Sequence, residues 1–370
     1  VYIHAPDEAN PWQPGAASNW WLHESLKSLQ ASLEKMGSFI HIEAGSSQEI
    51  LQRLTREYNV SAIYWNRLYE PALIERDSKL KKLFRTAGIE CRSFNSLLLN
   101  EPHEIENKAG KPFRVFSAYW RTASKVIDEL PLSLPSPERI TSPEPLASVK
   151  SVESLKLLPS INWHQGFYDH WQPGEHGAHA RLQQFLNNIL LNYKTDRDIP
   201  SVDGTSRLSP HLHFGEISPA QLIHIARQAV DAGRLPYNCL EKFFAEIGWR
   251  EFGYYLLYHF PGSALNSLDN RFDQQGWIEK ERHQDLMQAW QHGQTGIPIV
   301  DAGMRELWHT GYMHNRVRMI VASFLVKDLH LEWQLGARHF MRWLRDGDLA
   351  SNSHGWQWAA GSGTDAAPYF

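Results

Sequence analysis

Cysteine is nearly missing from this sequence: Cys91 and Cys239 are the only two among 370 residues. Two cysteines are too few for a disulfide scaffold or a thiolate zinc site, so a protein of a reducing compartment is expected. No stretch approaches the roughly 18 consecutive apolar residues of a membrane span, and no signal peptide is recognised. The prediction is a cytoplasmic protein without a metal site or a membrane contact.

An excess of positive charge is also missing. The formal net charge is −4, from 37 Lys and Arg against 41 Asp and Glu, which is not typical of a protein that coats nucleic acid nonspecifically. A local basic groove remains compatible with this balance, because DNA affinity depends on where the arginines lie. Apolar residues make up 42% of the chain, as in folded globular proteins, and the length suits about two domains.

Tryptophan, by contrast, is abundant. The chain has 15 tryptophans, and eight of them lie between Trp249 and Trp358. A buried indole N–H requires a hydrogen-bond partner, which makes tryptophan a demanding core residue. This density therefore indicates a further task, such as stacking on a planar ligand or base, or carrying electrons.

The hydrophobic pattern divides the chain into three parts. Residues 1–128 alternate apolar runs with helical stretches, which predicts a parallel α/β sheet. Strands are expected at residues 1–4, 39–43, 61–65 and 89–92, and no GxGxxG motif follows any of them, which disfavours a classical dinucleotide site. Residues 129–174 are rich in proline and serine and are predicted to be a linker, and residues 175–370 are predicted to be all-helical.

The C-terminal segment 343–370 concentrates polar and aromatic residues that suit a ring-shaped ligand. Asp346 and Asp348 flank a glycine and offer acceptors for N–H donors or for an arginine. Asn352 both donates and accepts, which suits a ring nitrogen whose protonation changes with redox state. Trp356 and Trp358 are two residues apart and should meet different neighbours. A buried helix end with tryptophans as core filler explains each of these residues singly, but explains the whole set poorly.

A second cluster is Tyr193 followed by the run GTSRLSP at 204–210. Backbone N–H groups and hydroxyls at the start of a helix form an anion site that suits a pyrophosphate. A capped loop without any ligand is the alternative. His211 and His213 lack nearby carboxylate or cysteine ligands in the sequence, so no metal is expected there.

Two helical pairs suggest a pocket for a base. Glu246 and Trp249 are three residues apart and share a helical face, so a carboxyl group lies beside an aromatic plate. Asn315 and Met319 are four residues apart and combine an amide with a soft thioether, which suits a neutral pyrimidine pair. A buried tryptophan with surface charge pairs is the alternative for the first pair.

These segments together resemble the photolyase/cryptochrome family along the whole chain, and within it the class I cyclobutane pyrimidine dimer (CPD) photolyases. The resemblance implies a Rossmann-like α/β antenna-binding domain at 1–128 that lacks its first strand. It further implies a linker at 129–174 and a helical FAD-binding catalytic domain at 175–370, shortened at its C-terminal end.

The activity that the resemblance implies is light-dependent DNA repair, in which excited FADH⁻ passes an electron to a cyclobutane dimer flipped out of the duplex. FAD is the implied cofactor. The antenna is either a folate (5,10-methenyltetrahydrofolate) or 8-hydroxy-5-deazaflavin, and the implied partner is UV-damaged DNA, bound by a monomer.

The resemblance also assigns roles to residues. FAD is expected to contact Tyr193, Thr205, Ser206, Arg207, Leu208, Ser209, Arg318, Asp346, Gly347, Asp348 and Asn352. Lesion and DNA are expected to contact Arg197, Glu246, Trp249, Arg250, Asn315, Arg316, Met319 and Trp358. Arg318 is the expected salt-bridge partner of Asp346, Asn352 is expected beside flavin N5, and Glu246 is expected to hydrogen-bond the dimer. An electron relay is expected to run through Trp356, Trp333 and Trp277, the last assigned by assuming a small insertion before Trp290.

Within the family, two residues favour cyclobutane dimers as the lesion. Photolyases for (6-4) photoproducts carry histidines at the positions of Asn315 and Met319, and this chain carries none there. A cryptochrome, which signals instead of repairing, is the alternative, but it need not keep a dimer pocket. A dark flavin oxidoreductase is the third possibility and lacks a recognisable nicotinamide site.

Overall fold

The computed structural model describes residues 1–146, 149–274, 276–278 and 280–365. The strands of this part of the chain are β1 (Tyr2–His4), β2 (Ile42–Ala44), β3 (Ala62–Asn66) and β4 (Glu90–Phe94). They pair in parallel, β1 with β2 and β3 with β4. The four expected strands are thus confirmed, although β2 begins at Ile42 instead of residue 39.

Helices fill the spaces between these strands. They are α1 (Ala16–Lys35), α2 (Ser47–Glu57) and α3 (Pro71–Thr86), followed by α4 (Phe116–Ala123) after β4. Local chemistry sets their starts: the Ser46 side chain accepts from the backbone N–H of Glu49 to cap α2, and α3 opens on a proline, whose missing N–H costs nothing there. The α/β pattern predicted for the first part is confirmed.

The segment between the two parts is an irregular strap that is packed onto the protein. Among its described residues, only short 3₁₀ turns at Glu153–Leu155 and Gln165–Phe167 interrupt the irregular backbone. Leu155 joins a core with Leu26 of α1 and Ile42 of β2. Phe167 and Trp171 join a second core with the α1 tryptophans. The proline-rich composition therefore predicted the lack of regular structure, and long-range packing holds the strap in place.

Beyond residue 174 the described chain is helical, as predicted. The helices are α5 (Glu175–Asn188), α6 (Tyr193–Asp196), α7 (Ser209–His213), α8 (Pro219–Asp231), α9 (Asn238–His259), α10 (Lys280–Gln291), α11 (Pro298–Thr310), α12 (Asn315–Ser323), α13 (Trp333–Trp343) and α14 (Leu349–Ala360). The apolar spacing at 315–329 predicts one continuous helix, but α12 ends at Ser323 and continues as a π-helical turn over Phe324–Asp328. In the described part, no helix is long and apolar enough to cross a membrane.

The largest core lies between α9, α13 and α14. Trp290, Trp333 and Trp356 are fully buried in it. Helices α13 and α14 approach closely because α13 carries a glycine at their crossing. A Cβ atom on Gly336 would lie 2.1 Å from the Trp356 ring, so any larger residue there would displace that tryptophan.

Helix α9 also ties the two parts of the chain together. The buried carboxylate of Glu251 accepts the backbone N–H of Leu99 at 2.7 Å, and Arg250 donates to the carbonyl of Leu97 at 2.7 Å. From α1, the Ser18 hydroxyl donates to the carbonyl of Leu344 at 3.0 Å. These contacts hold α1 and the chain after β4 against the helical part.

Burial of Glu251 has a consequence for stability. Burial raises the pKa of Glu251 to about 7, against the opposing effect of Arg250 and two backbone N–H groups. Because the folded pKa exceeds the unfolded one, the contribution of Glu251 to stability is complete below the unfolded pKa. It is lost as the pH rises through about 7.

We expect Glu251→Gln to remove this dependence. The unfolding free energy of the variant minus that of the parent protein should increase by about 2 kcal/mol as the pH rises from about 5 to about 8. Urea unfolding at the two pH values measures the difference. A constant gap between the two proteins would show that Glu251 does not titrate in this range.

Candidate functional site

The loop before α7 is pinned into one conformation by its own chain. Arg181 of α5 donates to the carbonyls of Ser206 at 2.8 Å and Thr205 at 2.7 Å. A Cβ on Gly204 would lie 2.4 Å from the backbone oxygen of Asp196, so only glycine allows the loop to pass α6. Arg207 adopts a left-handed backbone conformation, with φ of 53°. The loop is therefore rigid and turns its backbone sharply where α7 begins.

The residues flanking this loop are buried. Tyr193 begins α6 and packs against Phe185 and Phe243, and burial raises its pKa to about 12. Leu208 is buried immediately before α7. Ser209, the first residue of α7, donates its hydroxyl to Asp346, so the loop is joined directly to the C-terminal segment.

Asp348 organises the start of α14. Its side chain accepts the backbone N–H of Ser351 at 2.7 Å, which caps the helix, and also accepts the hydroxyl of Tyr254. His213, the last residue of α7, lies 3.4 Å away. Burial disfavours the ionised carboxylate, but the His213 contact and the charge of Arg250 hold the pKa of Asp348 well below its usual range. One carboxylate thus joins α7, α9 and α14.

Arg318 and Asp346 do not form the expected salt bridge in the described part of the chain. Arg318 donates its Nε to the carbonyl of Met313 at 2.8 Å, and among the described residues it forms no ion pair with Asp346. Asp346 is bonded to Ser209 instead. Its pKa is nevertheless lowered, because the charges of Arg318 and Arg345 outweigh the effect of burial. Arg318 therefore stabilises the carboxylate at a distance, and Arg345 was missed by the sequence interpretation.

Two buried oxygen atoms at the start of α14 lack partners. Asn352 donates its Nδ2 to the carbonyl of Ala337 at 2.9 Å, which leaves its Oδ1 as a free acceptor. The Oδ1 atoms of Asn352 and Asp346 are both buried without a hydrogen-bond partner in the described part of the chain. Unmatched buried acceptors are costly. The neighbouring Gly347 N–H already donates to the Ser18 hydroxyl and does not pair with these acceptors. The two oxygen atoms therefore fit N–H donors of a planar ring.

A line of charged residues borders the pocket predicted for a base. Glu246 is held by Lys242 at 2.7 Å and by Arg197 at 2.8 Å. Asp198 lies 3.2 Å from Arg197 and 2.9 Å from Arg316. Glu246, Arg197 and Arg316 were predicted for this place. Lys242 and Asp198 were not, although Asp198 directly follows Arg197 in the sequence.

The other residues predicted for the pocket lie on helices α9, α12 and α14. Asn315 and Met319 lie together on α12, with Nδ2 4.0 Å from Sδ. Trp249 is half-buried, and its ring stacks on Phe116 of α4 with centroids 3.7 Å apart. Trp358 is half-buried on α14. Phe116 comes from the first part of the chain, so no local sequence pattern indicated it.

Arg250 does not belong to this pocket. Its guanidinium donates to the carbonyl of Leu97 and lies 3.6 Å from Glu251, with its charge over the ring of Tyr254. Its expected contact with DNA stays a prediction, and in this structure the side chain faces the chain after β4. The reason is long-range: the segment at Leu97 supplies an acceptor that no pattern within α9 reveals.

The three relay tryptophans lie in one core, and their order along the relay stays a prediction. The aromatic neighbours of the Trp356 ring in the described chain are Phe340 at 5.0 Å and Trp290 at 6.1 Å between centroids. Trp333 is buried and donates its indole N–H to Ser267 at 3.3 Å. Trp277 packs on the same core and is half-buried. Trp290, which the sequence did not assign to the relay, is the tryptophan whose ring contacts that of Trp356 in the described chain.

A cavity of about 290 Å³ adjoins the site on the side of the α/β part. It is mainly apolar and is lined by chain segments after β1 and β3, including Trp12 and Leu73. Its polar lining includes Glu70, His213 and Tyr254. In the described residues no group of three or more His, Cys, Asp and Glu could hold a metal ion.

The Asp348–His213 contact gives a testable pKa. Burial lowers the pKa of His213, but Asp348 and Glu70 more than offset that effect, so the net shift is upward. Asp348→Asn keeps an acceptor for the Ser351 N–H and removes the charge. We expect the pKa of His213 to fall, measured by NMR titration of the imidazole resonances with His213→Gln as the assignment control. An unchanged value, as in the matched surface variant Asp269→Asn, would contradict this electrostatic account.

Comparison with known proteins follows the same division of the chain. Residues 1–139 match the family described as "DNA photolyase", and residues 243–370 match the "FAD binding domain of DNA photolyase". A deoxyribodipyrimidine photo-lyase from Agrobacterium fabrum is 43% identical, over 100% of this chain and 76% of its own length. Cryptochrome-1 from Arabidopsis thaliana is 34% identical, over 100% of this chain and 55% of its own length.

The similarity extends to the fold. The crystal structure of a bacterial class III photolyase from Agrobacterium tumefaciens superposes with a TM-score of 0.93 at 42% identity. It covers 100% of this chain and 75% of that one.

Proposed function

The chain belongs to the DNA photolyase/cryptochrome family, and from this premise we propose that it repairs cyclobutane pyrimidine dimers in UV-damaged DNA, driven by light. The observation that carries the proposal is a cradle for a ring-shaped cofactor near a line of charged residues that holds Glu246, which is expected to contact the lesion. The cradle holds the free Oδ1 atoms of Asp346 and Asn352. Helix α12 connects the two, because it carries Arg318 near the cradle and Arg316 in that line.

FAD is the cofactor of this family's helical domain, and the residues present fit it. In its reduced form, bound FAD supplies the electron that splits the dimer when it absorbs light. Asn352 can accept a ring N–H through Oδ1, because its Nδ2 is already bonded to Ala337. Asp346 can accept another ring N–H. The rigid loop at 204–209 presents hydroxyls at the start of α7, where a pyrophosphate is favoured.

The pocket residues act on the lesion. A dimer distorts the duplex and is cheaper to flip out than a normal base pair. Glu246 is held by Lys242 and Arg197, so its carboxylate is oriented to accept an N–H from a pyrimidine. Trp249 offers an aromatic surface. Asn315 and Met319 do not supply an acid, in agreement with a chemistry that needs an electron instead of a proton donor.

Two observations bear on the class within the family. The sequence resemblance implied class I, whereas the relative with a TM-score of 0.93 is titled a class III photolyase. The coarser assignment, a photolyase of cyclobutane dimers, is supported by a relative in sequence and by a relative in structure. Class I stays a prediction, as do the choice between a folate and a deazaflavin antenna, the monomeric state and the cytoplasmic location.

The alternative function is a cryptochrome-type photoreceptor. Its support is weaker, because the Arabidopsis cryptochrome is 34% identical and the photo-lyase is 43% identical over the whole chain. The pocket with Glu246, Trp249 and Met319 also favours repair, since signalling does not require it.

The activity is tested with the FAD-loaded, chemically reduced protein and UV-irradiated oligothymidine. Blue light should restore the ultraviolet absorbance of thymine, because splitting the cyclobutane ring regenerates the double bonds of the bases. A dark sample is the control. If FAD binds and is photoreducible but absorbance does not recover, the repair proposal fails and the photoreceptor is favoured.

The electron relay is tested separately from repair. Trp333→Phe should slow the photoreduction of oxidised FAD and leave repair by the chemically reduced protein intact, because the relay serves only the first reaction. Photoreduction is followed by the loss of flavin absorbance. Trp290→Phe is the matched comparison, since Trp290 contacts Trp356. Photoreduction that survives in Trp333→Phe and is lost in Trp290→Phe would assign the route to Trp290.

A further inference from the structure

Five residues with alternating charge form a continuous line along the pocket rim. Lys242 lies 2.7 Å from Glu246, which lies 2.8 Å from Arg197. Arg197 lies 3.2 Å from Asp198, and Asp198 lies 2.9 Å from Arg316. A single oxygen of Asp198, Oδ1, contacts both arginines. Asp198 is therefore the shared counter-ion of the two arginines expected to hold DNA phosphates.

The two arginines differ in how accessible they are. The side chain of Arg197 is 9% exposed, whereas those of Asp198 and Arg316 are 42% and 38% exposed. Arg197 also packs its guanidinium over the ring of Tyr193, 5.7 Å from the centroid. Arg197 is thus an inner cation fixed by several contacts, and Arg316 is an outer cation that can exchange its partner.

The backbone holds Asp198 in this place. Arg197 is the residue after α6, and the Asp198 N–H donates to the carbonyl of Thr195 at 3.2 Å. The following N–H, of Ile199, donates to the carbonyl of Asp196 at 3.1 Å. Asp198 is thus a carboxylate held in a tight turn, at a surface where a negative charge opposes the approach of DNA.

We propose that Asp198 is an internal substitute for a DNA phosphate: on the free protein it occupies the place between Arg197 and Arg316 that a phosphate of the damaged strand takes in the complex. Carboxylate and phosphate oxygens bind the same guanidinium fork, so one can replace the other. The proposal deepens the repair function and rests on it.

This arrangement makes Asp198 a determinant of specificity. An undamaged duplex keeps its backbone outside the pocket, where its phosphates face the carboxylate and are repelled. A strand whose dimer enters the pocket brings its phosphate inward, and contacts of the lesion with the pocket offset the displacement of Asp198. Repulsion of the wrong partner is an established way to gain discrimination.

The test is Asp198→Asn, assayed by binding to two duplexes of the same sequence, with and without one cyclobutane dimer. Affinity for the undamaged duplex should rise about fivefold, the size expected for one exposed charge interaction, and affinity for the damaged duplex should rise less. For the undamaged duplex, the slope of log affinity against log salt should steepen by about one, because Arg316 then neutralises a phosphate without giving up a carboxylate.

Two further variants make the test specific. Asp128→Asn makes the same change in charge at an exposed residue paired with Arg227, and should leave both the slope and the discrimination unchanged. Asp198→Glu should restore the parent values. Equal effects in Asp128→Asn and Asp198→Asn, or an unchanged slope in Asp198→Asn, would overturn the proposal.

A structural role is separated by its own readouts. Flavin content and the melting temperature should be the same in Asp198→Asn as in the parent protein. If affinity for the damaged duplex falls together with the melting temperature, Asp198 only orients the arginines and the proposal is refuted. Failure of the parent protein to prefer the damaged duplex would refute the repair function itself, which is a different outcome.

Discussion

The buried carboxylate of Asp348 is the contact on which the rest of the site depends. It caps α14, accepts the hydroxyl of Tyr254 on α9 and lies beside His213 at the end of α7. Those three helices carry the residues proposed for the cofactor and for the lesion. A buried charge is tolerated only when it is paired and hydrogen-bonded, which Asp348 achieves through all three helices. Any shift of one helix would leave part of this carboxylate unmatched, so the helices hold one another in register.

Sequence reasoning predicted most of the regular structure, because the long elements follow simple periodicities. The four strands occur at the predicted apolar runs. The apolar spacing at 19–36, 48–58, 72–87, 219–232, 240–259 and 300–310 predicts helices there, and the structure has α1, α2, α3, α8, α9 and α11 at these places. The short helices α6 and α7 could not be predicted, since four or five residues are too few to show a helical period of apolar residues. The π-helical turn that follows α12 was also missed, because 315–329 has the apolar pattern of one continuous helix.

The site was predicted by residue type more accurately than by contact. The motifs singled out Asp346, Asn352 and Glu246, whose roles stay predictions, but the partners that these side chains contact come from distant segments. Ser209 bonds Asp346 across 137 residues, and Leu97 draws Arg250 inward across 153. No local pattern encodes such pairings. The burial of Arg345 beside Asp346, which lowers the carboxyl pKa, was equally invisible.

The negative net charge of the chain agrees with the line of paired charges that runs from Lys242 to Arg316. A protein with a net charge of −4 does not attract DNA by excess positive charge, and Lys242, Arg197 and Arg316 are all paired with one of two shared carboxylates, Glu246 and Asp198. Phosphate binding at such a surface is an exchange of one anion for another. Exchange yields little net free energy on an undamaged duplex, because the broken and formed contacts are similar in kind. Most of the free energy that holds DNA must then come from contacts with the lesion. Because the cations are already paired in the free protein, affinity depends on damage.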